Sequence, residues 1–287
     1  MRPEWFQRLA SPPAAAPVDL AALAWPEIAA LLENGETLAL LPVGATEQHG
    51  PHLPCDTDTA IATAVCAYAS ACTGAPVLPP INYGVSIGHT EKWPGTLSLF
   101  HETLIAAVRE IAAWLAATGF ERLIVVNGHC GNDSSLRVAV DRLRFDFAGA
   151  FHAATRNTFA LSPEIAAEFS SDASDWHANR AETDVMLFLA PDRVQLNRLS
   201  TSDDPDRTGG CVFPHMVAHT STNGVTGKPS GANARRGAQL FQRMGDALAG
   251  LVTAARTEDP PLAWSRSLSG LSRRFPCTTN HQPMSRA

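Results

Sequence analysis

Two short apolar runs, residues 37–43 and 122–127, constrain this chain more than any other feature. Each is apolar at successive positions and too short for a helix, which is the pattern of a strand buried on both faces. Helical patterns follow them, at about 58–71 and 134–147. Between them lie an extended stretch at 76–83 and a helix at about 102–118, in which Leu104, Val108, Ile111 and Leu115 recur at helical spacing and Gly119 closes the last turn. Strand-helix repetition of this kind predicts an α/β fold, a three-layer sandwich with a mostly parallel central sheet and helices on both faces. With 287 residues, 45% of them hydrophobic, the chain can bury one sizeable core. We place that domain at residues 18–258, with a Pro/Ala-rich N-terminal arm at 1–17 and a loosely ordered Ser/Pro/Arg-rich tail at 259–287.

In open parallel sheets, ligands collect outside the carboxyl ends of the strands. Both apolar runs end there in residues that carry chemistry. The first leads into Gly44-Ala45-Thr46-Glu47-Gln48-His49-Gly50-Pro51-His52 and then Asp56-Thr57-Asp58; the second leads into Gly128-His129-Cys130-Gly131-Asn132. In extended backbone, residues two apart point the same way, so Glu47 and His49 face one pocket. A carboxylate beside a buried strand end is costly without compensation, and a divalent cation is a common remedy. A further cluster, Asp175 to Thr183, runs into the apolar helix Val185 to Leu189, which stops at Pro191. Glu182, in the first turn of that helix, is either a partner for the helix dipole or a further carboxylate ligand, with His177 on the preceding loop facing the same pocket. Together these parts suggest two metals. His52 and Asp56 flank the cluster as supporting or loop residues, with Asp56 or Thr57 as the N-cap of the helix that follows.

A net charge of −6 offers no basic field for nucleic acid or anionic lipid, so a small-molecule substrate is the better expectation. The six cysteines form no C-x-x-C pair, which argues against a disulfide framework or a structural zinc cluster and fits a reducing cytoplasm. No stretch approaches a membrane-spanning helix, and prolines 12, 13 and 17 interrupt any signal-type apolar core.

Taken in order, Glu47-Gln48-His49-Gly50 with Asp58, Trp93-Pro94-Gly95-Thr96-Leu97-Ser98-Leu99, Asn127-Gly128-His129, and His177 with Glu182-Thr183 resemble the creatininase family of metal-dependent amidohydrolases, over about residues 25–251. The resemblance implies a binuclear site in which Glu47, Asp58 and His129 hold one divalent ion, and His49, Asp58 and Glu182 the other, with Asp58 as the bridge. Zinc is expected, and manganese or iron suits the same donors. A water deprotonated between the metals would attack an amide carbonyl, and His177 would protonate the departing nitrogen. The family also implies a homo-oligomer, commonly a hexamer. Creatinine-hydrolysing members carry a glutamate where this chain has Gly131 and a substrate-covering tryptophan where it has Ala173, so the resemblance points away from creatinine. It points toward a cyclic amide or formamide, or, as the alternative, toward trimming of a small peptide precursor in redox-cofactor maturation. His89, Trp93, Gly131 and Trp176 are the candidate substrate contacts.

Two other classes compete. Gly84-Val85-Ser86-Ile87-Gly88 matches the G-x-S-x-G elbow of serine hydrolases, which needs a strand before the serine and a helix directly after it; here Pro94 and Gly95 follow within two turns. A binding protein without turnover would lack a metal ligand or the proton donor, and all those positions are filled.

Overall fold

Alternation along the strands divides the interior into two layers. The structure, a computed structural model, describes residues 2–147 and 149–262. Its sheet is parallel, in the order β1 (Leu38–Val43), β2 (Arg122–Asn127), β3 (His152–Asn157), with Val43, Asn127 and Asn157 in register at the carboxyl end. The helices are α1 (Trp25–Glu33), α2 (Thr57–Thr73), α3 (His101–Thr118), α4 (Asp133–Phe147), α5 (Pro163–Phe169), α6 (Arg180–Leu189), α7 (Leu196–Leu199), α8 (Val217–Thr220) and α9 (Ala234–Ala255). Leu38, Leu40, Ile124 and Val126 face one layer, packed with α2, α6 and α9; Ala39, Leu41, Val43, Leu123 and Val125 face the other, with α3 and α4. Successive side chains of a strand point to opposite faces, so a run apolar at every position is what a doubly covered sheet requires. The expected three-layer α/β arrangement is present.

The extended segment at 76–83 runs parallel beside β1. Leu40 N–H donates to the Pro76 carbonyl (2.9 Å), Leu78 N–H to Leu40 (2.8 Å) and Ile81 N–H to Pro42 (3.0 Å). Pro79 and Pro80 have no N–H to give, so the pairing is broken into isolated bridges rather than a fourth strand. At the N-terminus a 3₁₀ turn, Glu4–Arg8, anchors the opening residues: Trp5 and Phe6 are buried, with Trp5 edge-on to Phe241 at 4.8 Å and Phe188 at 6.5 Å. Residues 263–287, most of the segment read as a C-terminal tail, lie outside the described residues. No helix among the described residues is long and apolar enough to cross a membrane.

Candidate metal centre

At the carboxyl ends of β1 and β2 the backbone turns so tightly that few side chains fit, and this brings the candidate ligands together. Asn127 clamps the turn after β2, donating from Nδ2 to the His129 carbonyl (2.7 Å) and accepting the His129 N–H (3.1 Å). Asn132 ties this turn to the one after β1, donating to the Gly44 carbonyl (2.9 Å) and accepting from Val85 N–H (2.8 Å). Gly131 is fixed by close approach: a Cβ there would sit 2.2 Å from the Val85 carbonyl oxygen and 2.6 Å from His129 Nε2. Asp58 reaches the same point from the first turn of α2. Asp56 is the residue before that helix, but its side chain does not cap it and pairs with Arg193 instead (2.6 Å); Thr57 Oγ1 donates to the Pro54 carbonyl. Neither residue supplies the side-chain cap expected of it, because each has a stronger partner elsewhere.

The third cluster enters from the opposite side. His177 forms an antiparallel bridge with Thr226, and Ala178, in the left-handed region at φ 49°, swings the chain into α6. Asn179 Oδ1 accepts the Ala181 and Glu182 N–H groups and so caps α6. The helix end is thereby satisfied without Glu182, whose carboxyl turns inward, 3% exposed, with Oε1 3.7 Å from His49 Nε2. His52, fully buried, donates from Nε2 to Thr183 Oγ1 (2.9 Å) and so braces this helix turn, a supporting place of the kind expected for it.

Three carboxylates and four imidazoles thus converge. Three groups have donor atoms mutually within 4.8 Å: Glu47 with Asp58 and His129, His49 with His177 and Glu182, and Glu47 with His89 and His177. Asp58 joins the first two groups, since Oδ1 lies 3.1 Å from His49 Nε2 and Oδ2 lies 3.1 Å from His129 Nδ1. Two donors at about 2.1 Å from one tetrahedral ion stand about 3.4 Å apart, and the spacings of 3.1 to 3.7 Å between Asp58 and His49, Asp58 and His129, and His49 and Glu182 bracket that value. Both oxygens of Glu47, Asp58 Oδ2 and Glu182 Oε2 are buried without a hydrogen-bond partner, a costly state that a cation would relieve. The rings are oriented for this. His49 donates from Nδ1 to the Glu47 carbonyl (2.9 Å) and His129 from Nε2 to the Val85 carbonyl (3.0 Å), leaving His49 Nε2 and His129 Nδ1 as the nitrogens facing Asp58. A backbone carbonyl holding the far N–H is the usual support of a metal-bound histidine.

The protonation pattern agrees. Burial would lower the His129 pKa, but Glu47 and Asp58 overcome it and push it up to about 9; Asp58 likewise raises His49 against burial. Burial raises the Glu47 carboxyl, whereas Asp58 is held down against burial by His49 and His129. In the metal-free chain, protons on two imidazoles balance the buried carboxylates, and ion binding would release them. His177 and His89 are instead kept neutral by burial, His89 at about 3.

A cavity of about 230 Å³ opens onto this cluster. Glu47, Asp58, His129, Glu182, His177, His89, Gly131 and Trp176 line it, together with Ser86, Cys130, His215 and Met216. Trp176 also packs on Phe159 and Phe169 (5.3 and 5.0 Å). Trp93 does not line the cavity; Lys92 Nζ sits 4.7 Å over its ring. Ser86 Oγ lies 3.2 Å from His129 Nε2, but that nitrogen gives its proton to the Val85 carbonyl and has no lone pair for the hydroxyl. After Ser86 comes only a 3₁₀ turn, Ile87–His89, so neither the helix nor the base of a nucleophile elbow is present.

A family model described as creatinine amidohydrolase matches residues 21–252. The chain belongs to the creatininase family. It is 38% identical over 224 residues to the mycofactocin precursor peptide peptidase of Mycobacterium ulcerans, covering 72% of this chain and 81% of that protein. It is 30% identical over 253 residues to the creatinine amidohydrolase of Pseudomonas putida, covering 83% and 96%. Among solved structures, a mutant creatininase of Zn-Zn type superposes with a TM-score of 0.74 at 29% identity, covering 84% of this chain and 99% of that one. A manganese creatininase superposes at 0.73 and 28% identity, covering 84% and 100%. The creatininase family assignment makes this chain an amidohydrolase.

Proposed function

We propose that this chain hydrolyses the amide C–N bond of a small molecule, a cyclic amide or a formamide, with two divalent ions. Glu47, Asp58 and His129 would hold one ion, and His49, Asp58 and Glu182 the other. The observation that carries this reading is the set of buried, unpartnered carboxylate oxygens aimed at correctly turned imidazoles. Zinc suits the mixed donors, as manganese or iron would. When bound, such ions supply a deprotonated water at neutral pH and polarise the substrate carbonyl. His177 donates from Nε2 to the Gln48 carbonyl (2.8 Å), so its bare Nδ1 can take up the proton released and return it to the leaving nitrogen. A cavity of about 230 Å³ is smaller than a drug-sized site of roughly 300 to 1,000 Å³, in keeping with a small substrate.

A second reading, removal of a terminal residue from a short peptide, draws on the identity with mycofactocin precursor peptide peptidases and on the cavity rim. The segment that supplies His215 and Met216 to the wall also carries Val212 and Phe213, 86% and 73% exposed, an apolar surface suited to peptide side chains. Assembly as a homo-oligomer, up to a hexamer, joins the proposal, with Trp25 and Phe100 (79% and 72% exposed) as contact candidates. So does a cytoplasmic location, which suits the free thiols of Cys55, Cys66, Cys72, Cys130 and Cys211. The test is a screen of zinc- and manganese-loaded protein against creatinine, other lactams, imides, formamides and short peptides. Turnover that a chelator abolishes and added ion restores supports the proposal. A fully loaded protein inert to every amide would overturn it.

A further inference from the structure

Gln48 lies in sequence between two candidate ligands, and its side-chain amide reaches the outer imidazoles of the cluster, His89 and His177, within a hydrogen-bond network that fixes its orientation. Gly50 N–H donates to its Oε1 (2.9 Å), and its Nε2 donates to the Gly224 carbonyl (3.1 Å). Only one orientation of the amide satisfies both backbone groups. Gly224, at φ 87°, leaves room for it: a Cβ there would fall 2.0 Å from Gln48 Oε1.

The amide has a second proton to give, and two imidazoles stand within reach: His89 Nδ1 at 3.1 Å and His177 Nε2 at 3.2 Å. His177 Nε2 is also 2.8 Å from the backbone carbonyl oxygen of Gln48, an acceptor, so that nitrogen carries hydrogen and cannot accept. The second amide proton therefore goes to His89 Nδ1. Glu47 Oε1 is 3.4 Å from the same nitrogen but has no hydrogen-bond partner, in keeping with a bare Nδ1. Neutral His89 then bears its hydrogen on Nε2, which has no partner among the described residues and belongs to a ring that lines the cavity.

We propose that His89 donates its Nε2–H to the carbonyl oxygen of the substrate, with Gln48 as the positioning residue that fixes its tautomer. The two imidazoles pack together, centroids 4.4 Å apart, in the same Nε2–H tautomer but with opposite nitrogens held by Gln48, so that His89 is left with a free donor on Nε2 and His177 with a lone pair on Nδ1. Amide hydrolysis uses both. As water adds, a C–O bond forms and the carbonyl π pair moves onto oxygen, where a fixed N–H stabilises the charge. As the C–N bond breaks, that pair returns to re-form the carbonyl, and the proton taken from water by His177 passes to nitrogen. The products are a carboxylic acid and an amine. With its Nδ1 lone pair engaged by Gln48, His89 is a substrate donor rather than a ligand of a third ion.

This inference rests on the amide-hydrolase reading, and its test separates the two. Long-range ¹H–¹⁵N spectra of histidine-labelled protein, metal-free and zinc-loaded, read the tautomer without substrate. The expected result is a bare Nδ1 and a protonated Nε2 for His89, lost or reversed in Gln48→Met. Kinetics then use whichever amide of the screen the wild type turns over. His89→Ala should keep its zinc and lose about 10² to 10³ in kcat with little change in KM, the worth of one donor to a developing oxyanion. His89→Gln, whose amide nitrogen reaches the Nε2 position, should recover at least about tenfold over His89→Asn, which reaches only Nδ1. A protonated Nδ1 in the wild type, loss of zinc from His89→Ala, equal rates for the Gln and Asn variants, or wild-type kcat in His89→Ala would each overturn it. A wild type inert to every amide would instead count against the hydrolase reading itself.

Discussion

Glu47→Gln should stabilise the empty protein and destabilise the loaded one, a reversal of sign that ordinary packing defects do not produce. Glu47 is fully buried, both of its oxygens lack hydrogen-bond partners, and burial raises its carboxyl above the ordinary glutamate value. A raised carboxyl pKa means the ionised form costs more in the fold than in the unfolded chain. That cost is complete above the raised value, declines as the pH falls toward the ordinary value of 4.5, and is absent below it. The glutamine is neutral, and an amide N–H in place of Oε1 would meet the bare Nδ1 of His177, 3.4 Å away. Relief of a buried unsatisfied charged group is worth about 1 to 3 kcal/mol. In a domain of this size that raises the melting temperature by roughly 2 to 4 °C per kcal/mol. Zinc at a hundredfold excess over its dissociation constant should stabilise the wild type by about 2.7 kcal/mol per site, and the variant by markedly less. Circular dichroism melts at pH 8, with chelator and with zinc, measure both arms, and the chelator-side gain should fade as the pH falls toward 4.5 and be gone below it. A chelated variant that melts below the chelated wild type, or an undiminished zinc shift, would refute the reasoning.

Other outcomes follow from the same geometry. His177→Ala should retain its metal and lose about 10² to 10⁴ in kcat, an effect read by metal analysis beside steady-state kinetics; loss of metal would make His177 a ligand of the His49–Glu182 group. Asp204, whose carboxylate accepts from Arg207, Ser221 and Thr222 (2.6 to 2.8 Å), ties down the loop that ends at the cavity wall. Burial works against its ionisation, but those partners outweigh it and hold the pKa at about 2. Its contribution is complete above the ordinary value of 3.8 and lost as the pH falls toward 2. Asp204→Ala should cost about 1.5 to 3 kcal/mol at pH 7, in denaturant melts whose difference from wild type shrinks on acidification. Creatinine should be turned over with kcat/KM below about 10⁴ M⁻¹s⁻¹, because the Gly131 turn has no room for a side chain against Val85; a value above that would remove positions 131 and 173 as determinants of specificity.

How legible the molecule was depends on the range of the interactions. Residues 37–43 and 122–127 announced themselves because a strand covered on both faces must be apolar at every position, and Glu47, His49, Asp58 and His129 stood beside strand ends where parallel sheets place ligands. The extended stretch at 76–83 was legible as extended but not as an interrupted partner of β1, since pairing is a long-range property and its prolines only limit it. The place of Glu182 turned on Asn179, a cap that satisfied the helix end and freed the carboxyl. Nothing local to Gln48 or Asn132 signals their roles, because their partners, Gly224, His89, Gly44 and Val85, lie far away in sequence. Trp93 suggested a substrate platform by composition alone, and in the fold it packs under Lys92, outside the cavity.

The central claim is that Asp58 bridges two ions. It is tested most directly by metal content per chain, measured by inductively coupled plasma mass spectrometry after reconstitution and extensive dialysis, for wild type and Asp58→Asn. The account predicts two ions in the wild type and at most one, weakly held, in the variant, because the two carboxylate oxygens of Asp58 face His49 Nε2 and His129 Nδ1, one on each side. Two tightly held ions in Asp58→Asn, or a single ion in the wild type, would contradict it.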